Sequence, residues 1–198
     1  MLLLDFFKFI FFDKHEYEIG SEKYIQVEKR AHFYSFRNVY FSMYYNDYYR
    51  DMIYELKYRR KKYVAVAIYN IVKEYIEYII EFNKIEYIIC VPISSKRKKE
   101  RGFNQVEEIF KDKKDKFLKI RKVKDTKKMS KLHENHMKNL NIKNSFDVSN
   151  LNLDNKTVLI VDDIITTGAT VKEIENAIKR EYKNVTVYIY AVAVSKKF

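Results

Sequence analysis

The chain has 198 residues, of which 47% are hydrophobic, and this size suits one domain with a single buried core rather than two domains. Its single cysteine, Cys90, excludes an internal disulfide and a cysteine-rich zinc site, and nothing in the composition requires an oxidising compartment. The formal net charge of +12 suggests a phosphate-rich partner, although lysine is the default surface residue in a composition this rich in lysine, isoleucine and asparagine. We expect a cytoplasmic protein.

The first twelve residues, MLLLDFFKFIFF, form a strongly apolar run. Asp5 and Lys8 interrupt it and no small-residue cleavage site follows, which argues against an export signal, and the run is too short to span a bilayer. A buried helix or strand is the preferred interpretation, and an interfacial membrane anchor is the alternative. We predict an apolar or irregular segment over residues 1–40 and one main domain over residues 41–198.

Apolar periodicity predicts helices over residues 42–57 and 63–82. A short apolar run at residues 87–91 then predicts a buried strand that stops at Pro92, the only proline of the chain. We expect the next helix to begin near Phe103.

The remaining chain alternates between strand and helix signals. Residues 124–150 are polar and weakly periodic, which predicts a lid loop. The other predicted elements are strands at residues 117–123, 157–161 and 185–194, a turn at 162–168 and a helix at 169–182. This order predicts an α/β fold with a helical N-terminal region and a mostly parallel sheet flanked by helices. Ligands of such sheets bind at the carboxyl ends of the strands.

The segment VLIVDDIITTGAT, residues 158–170, joins a predicted strand to a predicted helix. Asp162 and Asp163 would lie at the rim of the sheet, where carboxylates can accept hydrogen bonds from vicinal hydroxyls. Gly168 allows a tight turn, threonines add hydroxyl donors, and the positive end of the helix favours a dianion. An Asp-Asp pair after a strand is by itself more often a solvated turn, and a Thr-Gly pair before a helix is by itself more often a helix cap. Together they predict a ribose phosphate site, and a rim carboxylate such as Asp163 should contribute little to stability.

The complete string resembles the phosphoribosyl pyrophosphate signature of type I phosphoribosyltransferases. The segment VPISSKRKKERGFNQ, residues 91–105, is similar to the Val-Pro, basic spacer, Arg-Gly-Phe-Asn-Gln segment of the ComF family, whose members are associated with competence for DNA uptake. The resemblance implies a type I phosphoribosyltransferase fold and Mg²⁺ as a cofactor. Arginine, with its planar fork of donors, is the residue type suited to bind phosphate oxygens.

The resemblance also implies residue roles. Asp162 and Asp163 would be catalytic, would hold the ribose hydroxyls, and would meet Mg²⁺ through the ligand or water. The 5′-phosphate would bind Thr166, Thr167, Gly168, Ala169 and Thr170. The pyrophosphate would bind Pro92, Ile93, Ser94, Arg97 and Arg101, with Lys96 nearby.

Several positions depart from the family pattern. The usual N-terminal cysteine pairs are absent, which leaves the zinc module missing, degenerate or replaced by the apolar segment. In the lid, Met129 stands where glutamine is expected and Lys138 stands roughly where arginine is. These changes bear on turnover more than on ligand binding. His133 and His136, also in the lid, lack a paired carboxylate and are expected to be solvated.

Three functions follow as alternatives. The first is a glycosyltransferase-class enzyme that moves the phosphoribosyl group to an unidentified base or amine. The second is a non-catalytic factor that binds phosphoribosyl pyrophosphate or a nucleotide and serves DNA uptake with competence proteins. The third is a single-stranded DNA-binding protein that uses residues 96–131, where 16 Lys and Arg stand against 6 Asp and Glu.

Overall fold

The computed structural model of the chain describes residues 22–123 and 145–195. Within these residues the main sheet has five strands: β1 (Tyr34–Phe36), β2 (Val39–Tyr44), β3 (Tyr87–Cys90), β6 (Thr157–Ile165) and β7 (Thr186–Val194). Two further strands, β4 (Arg121–Lys122) and β5 (Phe146–Asp147), form a separate antiparallel pair. Residues 22–28 are helical, and the helices that follow them are α1 (Asp47–Tyr58), α2 (Tyr63–Phe82), α3 (Ser95–Arg101), α4 (Gln105–Ile109) and α5 (Ala169–Glu181), with a 3₁₀ segment at Lys111–Lys116.

The main sheet has the strand order β1-β2-β7-β6-β3. β2, β7, β6 and β3 are parallel to one another, and β1 joins β2 in antiparallel fashion at the edge. The α/β fold with a mostly parallel, helix-flanked sheet is therefore confirmed. Because the carboxyl ends of the parallel strands meet at one edge, the chain leaving β3 after Cys90 and the chain leaving β6 after Ile165 emerge close together.

The core lies on both faces of the sheet, which explains the uninterrupted apolar run of β6. Leu159 and Val161 pack with the residues that α1, α2 and α4 bury on one face. Val158 and Ile160 pack with α5 on the other face. Cys90 is the buried last residue of β3 and serves as a small apolar side chain.

The helix predicted at residues 42–57 begins later than expected. Residues 39–44 form β2 instead, because this aromatic and β-branched run pairs with β7, and Met43 is only 1% exposed. The side chain of Asn46 then caps α1 by accepting a hydrogen bond from the Tyr49 amide at 3.0 Å. The expected boundary between residues 40 and 41 consequently falls inside β2.

Three other predicted boundaries changed. The strand expected at residues 117–123 is reduced to β4, and the 3₁₀ segment precedes it. The helix expected near Phe103 is α4, which begins at Gln105, and the charged helix α3 comes before it. The strand expected to end at Val161 continues to Ile165, which makes Asp162 and Asp163 strand residues.

The predicted lid is described only at its end, where residues 146–147 form β5 and Ser145 and Val148 are buried. Residues 124–144, with Met129, His133, His136 and Lys138, lie outside the described residues, as does the apolar run at residues 1–12. Across residues 22–123 and 145–195, none of the helices combines the length and the apolar character needed to cross a bilayer.

Candidate active site

Asp162 and Asp163 occupy consecutive positions near the carboxyl end of β6 but differ in exposure. Asp162 is half-buried, whereas Asp163 is only 3% exposed. The backbone amide of Asp163 donates a hydrogen bond to Oδ1 of Asp162 at 2.9 Å. The expectation that Asp163 is an open rim carboxylate is therefore wrong, because the strand continues past it and helices cover its side chain.

The carboxylate of Asp163 is held by two side chains that the sequence analysis did not assign to the site. Lys57, in the last turn of α1, forms an ion pair with Oδ2, and the two side chains are only 17% and 4% exposed. Gln105, the first residue of α4, donates to Oδ1 at 2.9 Å. The Tyr49 hydroxyl donates to the backbone carbonyl oxygen of Asp163 at 3.2 Å. Both carboxylate oxygens of Asp163 thus have protein partners.

Sequence signals for these partners are weak. Gln105 ends the Arg-Gly-Phe-Asn-Gln segment, so its position in the motif could have marked it. Lys57 is one lysine in a lysine-rich chain, and it lies 106 residues from Asp163 in sequence. The packing of α1 against the sheet brings it to Asp163.

The pKa values of the two carboxyl groups are shifted in opposite directions. Burial alone would raise the pKa of Asp163, but the ion pair with Lys57 and the hydrogen bond from Gln105 hold it below its ordinary value. Burial raises the pKa of Asp162 well above its ordinary value, and the negative charge of Asp163 adds to this effect. The free protein therefore favours an ionised Asp163 beside an Asp162 that retains its proton to higher pH.

The predicted pyrophosphate residues begin where β3 ends. Pro92, Ile93 and Ser94 are partly exposed, and the Ser94 hydroxyl accepts a hydrogen bond from the Arg97 amide at 3.3 Å, which caps α3. Arg97 is exposed. The predicted loop is thus accessible at the sheet edge.

Arg101 connects this loop to the acidic pair. It ends α3, is partly buried, and donates a hydrogen bond from its guanidinium to Oε1 of Gln105. Because the Gln105 amide nitrogen donates to Asp163, one amide group bridges Arg101 and Asp163. The structure therefore joins two predicted site residues that are far apart in sequence.

The predicted phosphate loop follows β6. Thr166 and Thr167 are exposed, and Gly168, Ala169 and Thr170 are partly exposed. Gly168 has a φ of 73°, a left-handed conformation that favours glycine. Gly168, which precedes α5, has no side chain to cap the helix, and the Thr167 hydroxyl accepts a hydrogen bond from the Ala169 amide at 3.4 Å. The first turn of α5 thus directs amide groups to the loop. An anion is the complementary ligand for this loop.

A cavity of about 640 Å³ lies beside this loop, between α5 and the β1–β2 hairpin. Its lining includes Thr167 and Gly168, together with Arg37, Lys172 and Arg180. Val171 and Ile189, which also line it, belong to the core on the α5 face of the sheet. Asp163 and Gln105 lie on the opposite face, so this cavity is not the space between the predicted pyrophosphate loop and the acidic pair.

The residues present can support a metal ion only together with a ligand. Among the described residues there is no group of three or more His, Cys, Asp or Glu side chains that could hold a metal ion. Asp162 offers one carboxylate, while both oxygens of Asp163 are engaged. Such a donor set fits Mg²⁺, which binds through one or two carboxylates completed by substrate phosphates and water.

Comparison with known proteins gave a family and distant structural likenesses. A family model described as the phosphoribosyl transferase domain matches residues 65–197. No curated protein matches the chain. The chain is similar to a solved adenine phosphoribosyltransferase from Saccharomyces cerevisiae, complexed with D-2,5-dideoxy-2,5-imino-altritol 1,6-bisphosphate and adenine, at 17% identity over 90% of each chain with a TM-score of 0.48.

Proposed function

The chain belongs to the phosphoribosyl transferase domain family, and from this premise we propose that it binds phosphoribosyl pyrophosphate with Mg²⁺ at the carboxyl edge of β3 and β6. The observation that carries the proposal is the bridge from Arg101 through Gln105 to Asp163. It joins the basic loop to the acidic pair, beside a loop suited to a phosphate. A ligand with a diol between a phosphate and a pyrophosphate matches this order of groups.

Each part of the ligand has a proposed partner. Asp162, the more exposed carboxylate, accepts hydrogen bonds from the ribose hydroxyls. The 5′-phosphate binds the loop at residues 166–170. The pyrophosphate binds residues 92–94 with Arg97 and Arg101, because guanidinium groups match phosphate oxygens in charge and geometry.

Asp162 is the proposed protein carboxylate for Mg²⁺, through the ligand or a water molecule. The ion, when bound, would offset the charge of the pyrophosphate as it departs. The chain itself contributes positioning and charge complementarity.

For turnover, a nitrogen of a base or amine forms a bond to the anomeric carbon while the bond from that carbon to the pyrophosphate oxygen breaks. The pyrophosphate leaves with the electron pair and the nitrogen loses a proton. Positive charge develops on the sugar ring, and the carboxylate of Asp162, whose ionised form a bound Mg²⁺ would favour despite its burial, would be placed to stabilise it. A ComF-like factor that binds the ligand without turnover is the alternative, and a cytoplasmic location is proposed for either.

Calorimetric titration with phosphoribosyl pyrophosphate and Mg²⁺ tests the site. We expect micromolar binding by the wild-type protein and a loss of at least tenfold in Asp162→Asn. Asp47→Asn is the matched control, because the Asp47 side chain is 83% exposed on α1. The proposal fails if the folded wild-type protein does not bind or if Asp162→Asn binds equally well. Release of pyrophosphate in a screen of bases and amines then separates an enzyme from a binding factor.

A second candidate function, binding of single-stranded DNA, is favoured by an aromatic and basic surface on α1 and α3. Tyr54 and Tyr58 are 51% and 67% exposed, and their ring centroids are 5.0 Å apart. The guanidinium carbon of Arg101 lies 6.0 Å from the Tyr58 ring centroid. Exposed aromatic rings beside cations are the usual platform for stacked bases.

Only part of the basic stretch at residues 96–131 belongs to this aromatic and basic surface. The basic side chains of α3 are mostly exposed, with Lys96 at 79%. Arg60, after α1, donates to the Glu100 carbonyl oxygen at 2.5 Å and so links the two helices. By contrast, Lys113 pairs with Glu77 at 2.9 Å. The part of the stretch that supports DNA binding is therefore α3 rather than the 3₁₀ segment.

Fluorescence anisotropy with an oligothymidylate tests this second function. Tyr58→Ala should weaken binding by about 1–3 kcal/mol, the usual effect of removing one stacking ring. Tyr78→Ala, which removes a 49% exposed ring from α2, is the matched control. Equal affinities of the two variants, or affinity that does not depend on salt, would contradict the proposal.

A further inference from the structure

The cavity between α5 and the β1–β2 hairpin extends well beyond the predicted phosphate loop. It contacts that loop at Thr167 and Gly168, and it continues along α5 as far as Arg180. Its volume of about 640 Å³ lies within the range of pockets that hold small organic ligands, about 300–1,000 Å³. Val171 and Ile189 supply apolar surface to it. The cavity is therefore large enough for a ligand of its own.

The α5 wall of the cavity carries donor side chains one helical turn apart. Lys172, Asn176 and Arg180 follow one another at four-residue spacing, so they lie along one side of the helix. Asn176 is half-buried, and within residues 22–123 and 145–195 its side chain forms no hydrogen bond. The Asn176 amide is therefore available to a ligand.

The ion pairs of α5 leave a positive charge beside the cavity. Lys172 and Lys179 both pair with Glu175, at 2.9 and 2.7 Å, so two cations share one carboxylate. Arg180 pairs with Glu173 at 3.0 Å, which balances that charge. The surplus cation of the lysine pair favours an anion on this wall.

Arg37 brings a second cation from the opposite wall. It is exposed, and no carboxylate in the described part of the chain forms an ion pair with it. Arg37 and Asn38 are the two-residue loop between the paired residues Phe36 and Val39, and Arg37 has a φ of 56°. Glycine or asparagine is the usual residue in this left-handed conformation. Because strained residues are concentrated at binding sites, the conformation supports a ligand-binding role for Arg37.

Phe36 offers a flat apolar surface beside these cations. It lines the cavity, its side chain is 64% exposed, and the guanidinium carbon of Arg37 lies 5.2 Å from its ring centroid. An exposed ring next to a guanidinium group is suited to stack a nucleic-acid base. A phosphate group, in turn, matches the charge and the donor geometry of Arg37 and Lys172.

We propose that this cavity is a second ligand site, which binds a nucleotide with its base against Phe36 and its phosphate among the cations of the two walls. Inorganic phosphate would fill little of the cavity, and a sugar phosphate would not use the ring. The site is separate from the carboxyl edge of β3 and β6, and neither phosphoribosyl pyrophosphate nor Mg²⁺ is needed to test it.

Calorimetric titration with adenosine 5′-monophosphate in the absence of Mg²⁺ is the first test. Arg37→Gln and Asn176→Asp should each bind about tenfold more weakly than the wild type, because one loses a charged donor and the other adds a negative charge. Arg37→Gly should lose as much, although its backbone suits the left-handed turn and cannot strain the fold.

Lys84→Gln is the matched control for this titration. Lys84 is exposed, has a φ of 53° and lies outside the cavity, so its variant removes one positive charge from the same kind of backbone position. It should bind adenosine 5′-monophosphate like the wild type. Equal affinities of the wild type and the two Arg37 variants, or no binding by the folded wild type, would overturn the proposal. A nucleotide held at the carboxyl edge instead would give the first of these results.

The contribution of the base is measured with ribose 5-phosphate, which has the phosphate and the sugar without the ring. The wild type should bind adenosine 5′-monophosphate about tenfold more tightly than ribose 5-phosphate, because a stacked base adds to the affinity. Phe36→Ala should remove this difference and leave the affinity for ribose 5-phosphate unchanged. Equal affinities of the wild type for the two ligands would refute the assignment to a nucleotide.

Photolabelling with 8-azidoadenosine 5′-monophosphate locates the site directly. Peptides that contain residues 34–39 should be labelled, and unlabelled adenosine 5′-monophosphate should protect them. Labelling that leaves residues 34–39 unmodified would overturn the proposal. Because these experiments contain no phosphoribosyl pyrophosphate, their outcome is independent of whether the function proposed for the carboxyl edge holds.

Discussion

The hydroxyl groups of Ser42 and Tyr190 lie 2.5 Å apart and share a hydrogen bond across β2 and β7. Both side chains are fully buried although they lie 148 residues apart in sequence. Burial raises the pKa of the Tyr190 phenol, so the hydroxyl stays neutral at physiological pH. Each of the two buried hydroxyl groups is therefore the hydrogen-bond partner of the other.

Tyr190→Phe removes one partner and should lower the free energy of unfolding by about 1–3 kcal/mol, because the Ser42 hydroxyl is left unpaired in the core. The double variant Ser42→Ala, Tyr190→Phe should be more stable than Tyr190→Phe. Urea unfolding of the two single variants and the double variant measures this coupling. Strictly additive effects would show that the hydrogen bond contributes no coupling.

Asp163→Asn should destabilise the fold, contrary to the expectation for a rim carboxylate. The substitution leaves the Lys57 charge without its partner, and we expect a loss of about 2–4 kcal/mol, below the range for fully buried pairs because Lys57 is 17% exposed. Asp47→Asn, at an exposed side chain, should change stability by less than about 0.5 kcal/mol. Thermal unfolding of both variants at one pH provides the comparison, and equal melting temperatures would contradict the burial of Asp163.

Asp162→Asn should stabilise the free protein at neutral and alkaline pH. The folded pKa of Asp162 is raised above its ordinary 3.8, so Asp162 favours the folded state below about 3.8, and this contribution is lost as pH rises through the folded pKa. Asparagine mimics the protonated side chain, so Asp162→Asn does not lose this stability as pH rises.

Urea unfolding of wild type and Asp162→Asn between pH 4 and pH 8 tests this dependence. The two curves should converge at the acid end and separate as pH rises, with the variant the more stable protein. Asp163 contributes the opposite slope in both proteins, because its pKa is lowered and its stabilisation is lost as pH falls below about 3.8. Parallel curves would show that Asp162 is ionised as readily in the folded state as in the unfolded chain.

Gly102→Ala should destabilise the turn that holds Arg101. Gly102 follows α3 as its C-cap with a φ of 87°, and no atom lies within 4 Å of an added Cβ. The expected loss of about 1–2 kcal/mol therefore comes from the left-handed backbone alone. Gly102→Asn should lose less, because asparagine adopts this conformation more readily. Chemical unfolding of the two variants decides between backbone strain and crowding.

The fold was largely predictable because its strongest elements have local signals. The apolar periodicity of residues 63–82 gave both ends of α2, and the apolar run after Thr157 gave the start of β6. The helix α3 was not predicted, because its sequence SKRKKER has no apolar face and its ends are set by Ser94 and Gly102. A capping serine and a glycine carry less signal than a hydrophobic stripe.

The candidate site was predicted as two motifs, and their connection was not. The motifs at residues 91–105 and 158–170 are recognisable from their residue types. The burial of Asp163, in contrast, depends on Lys57 and on how α1 packs against the sheet. Exposure and pairing of the two carboxylates are therefore properties of the tertiary structure.

The position of β7 has a consequence for synthesis of the chain. This strand is formed by residues 186–194, after all the other strands of the sheet in sequence, yet it lies between β2 and β6 and is hydrogen-bonded to both. A nascent chain on the ribosome can pair β3 with β6, but the β1–β2 hairpin has no neighbour in the sheet until β7 has emerged. Deletion of residues 186–194 would therefore divide the sheet at its centre rather than shorten its edge.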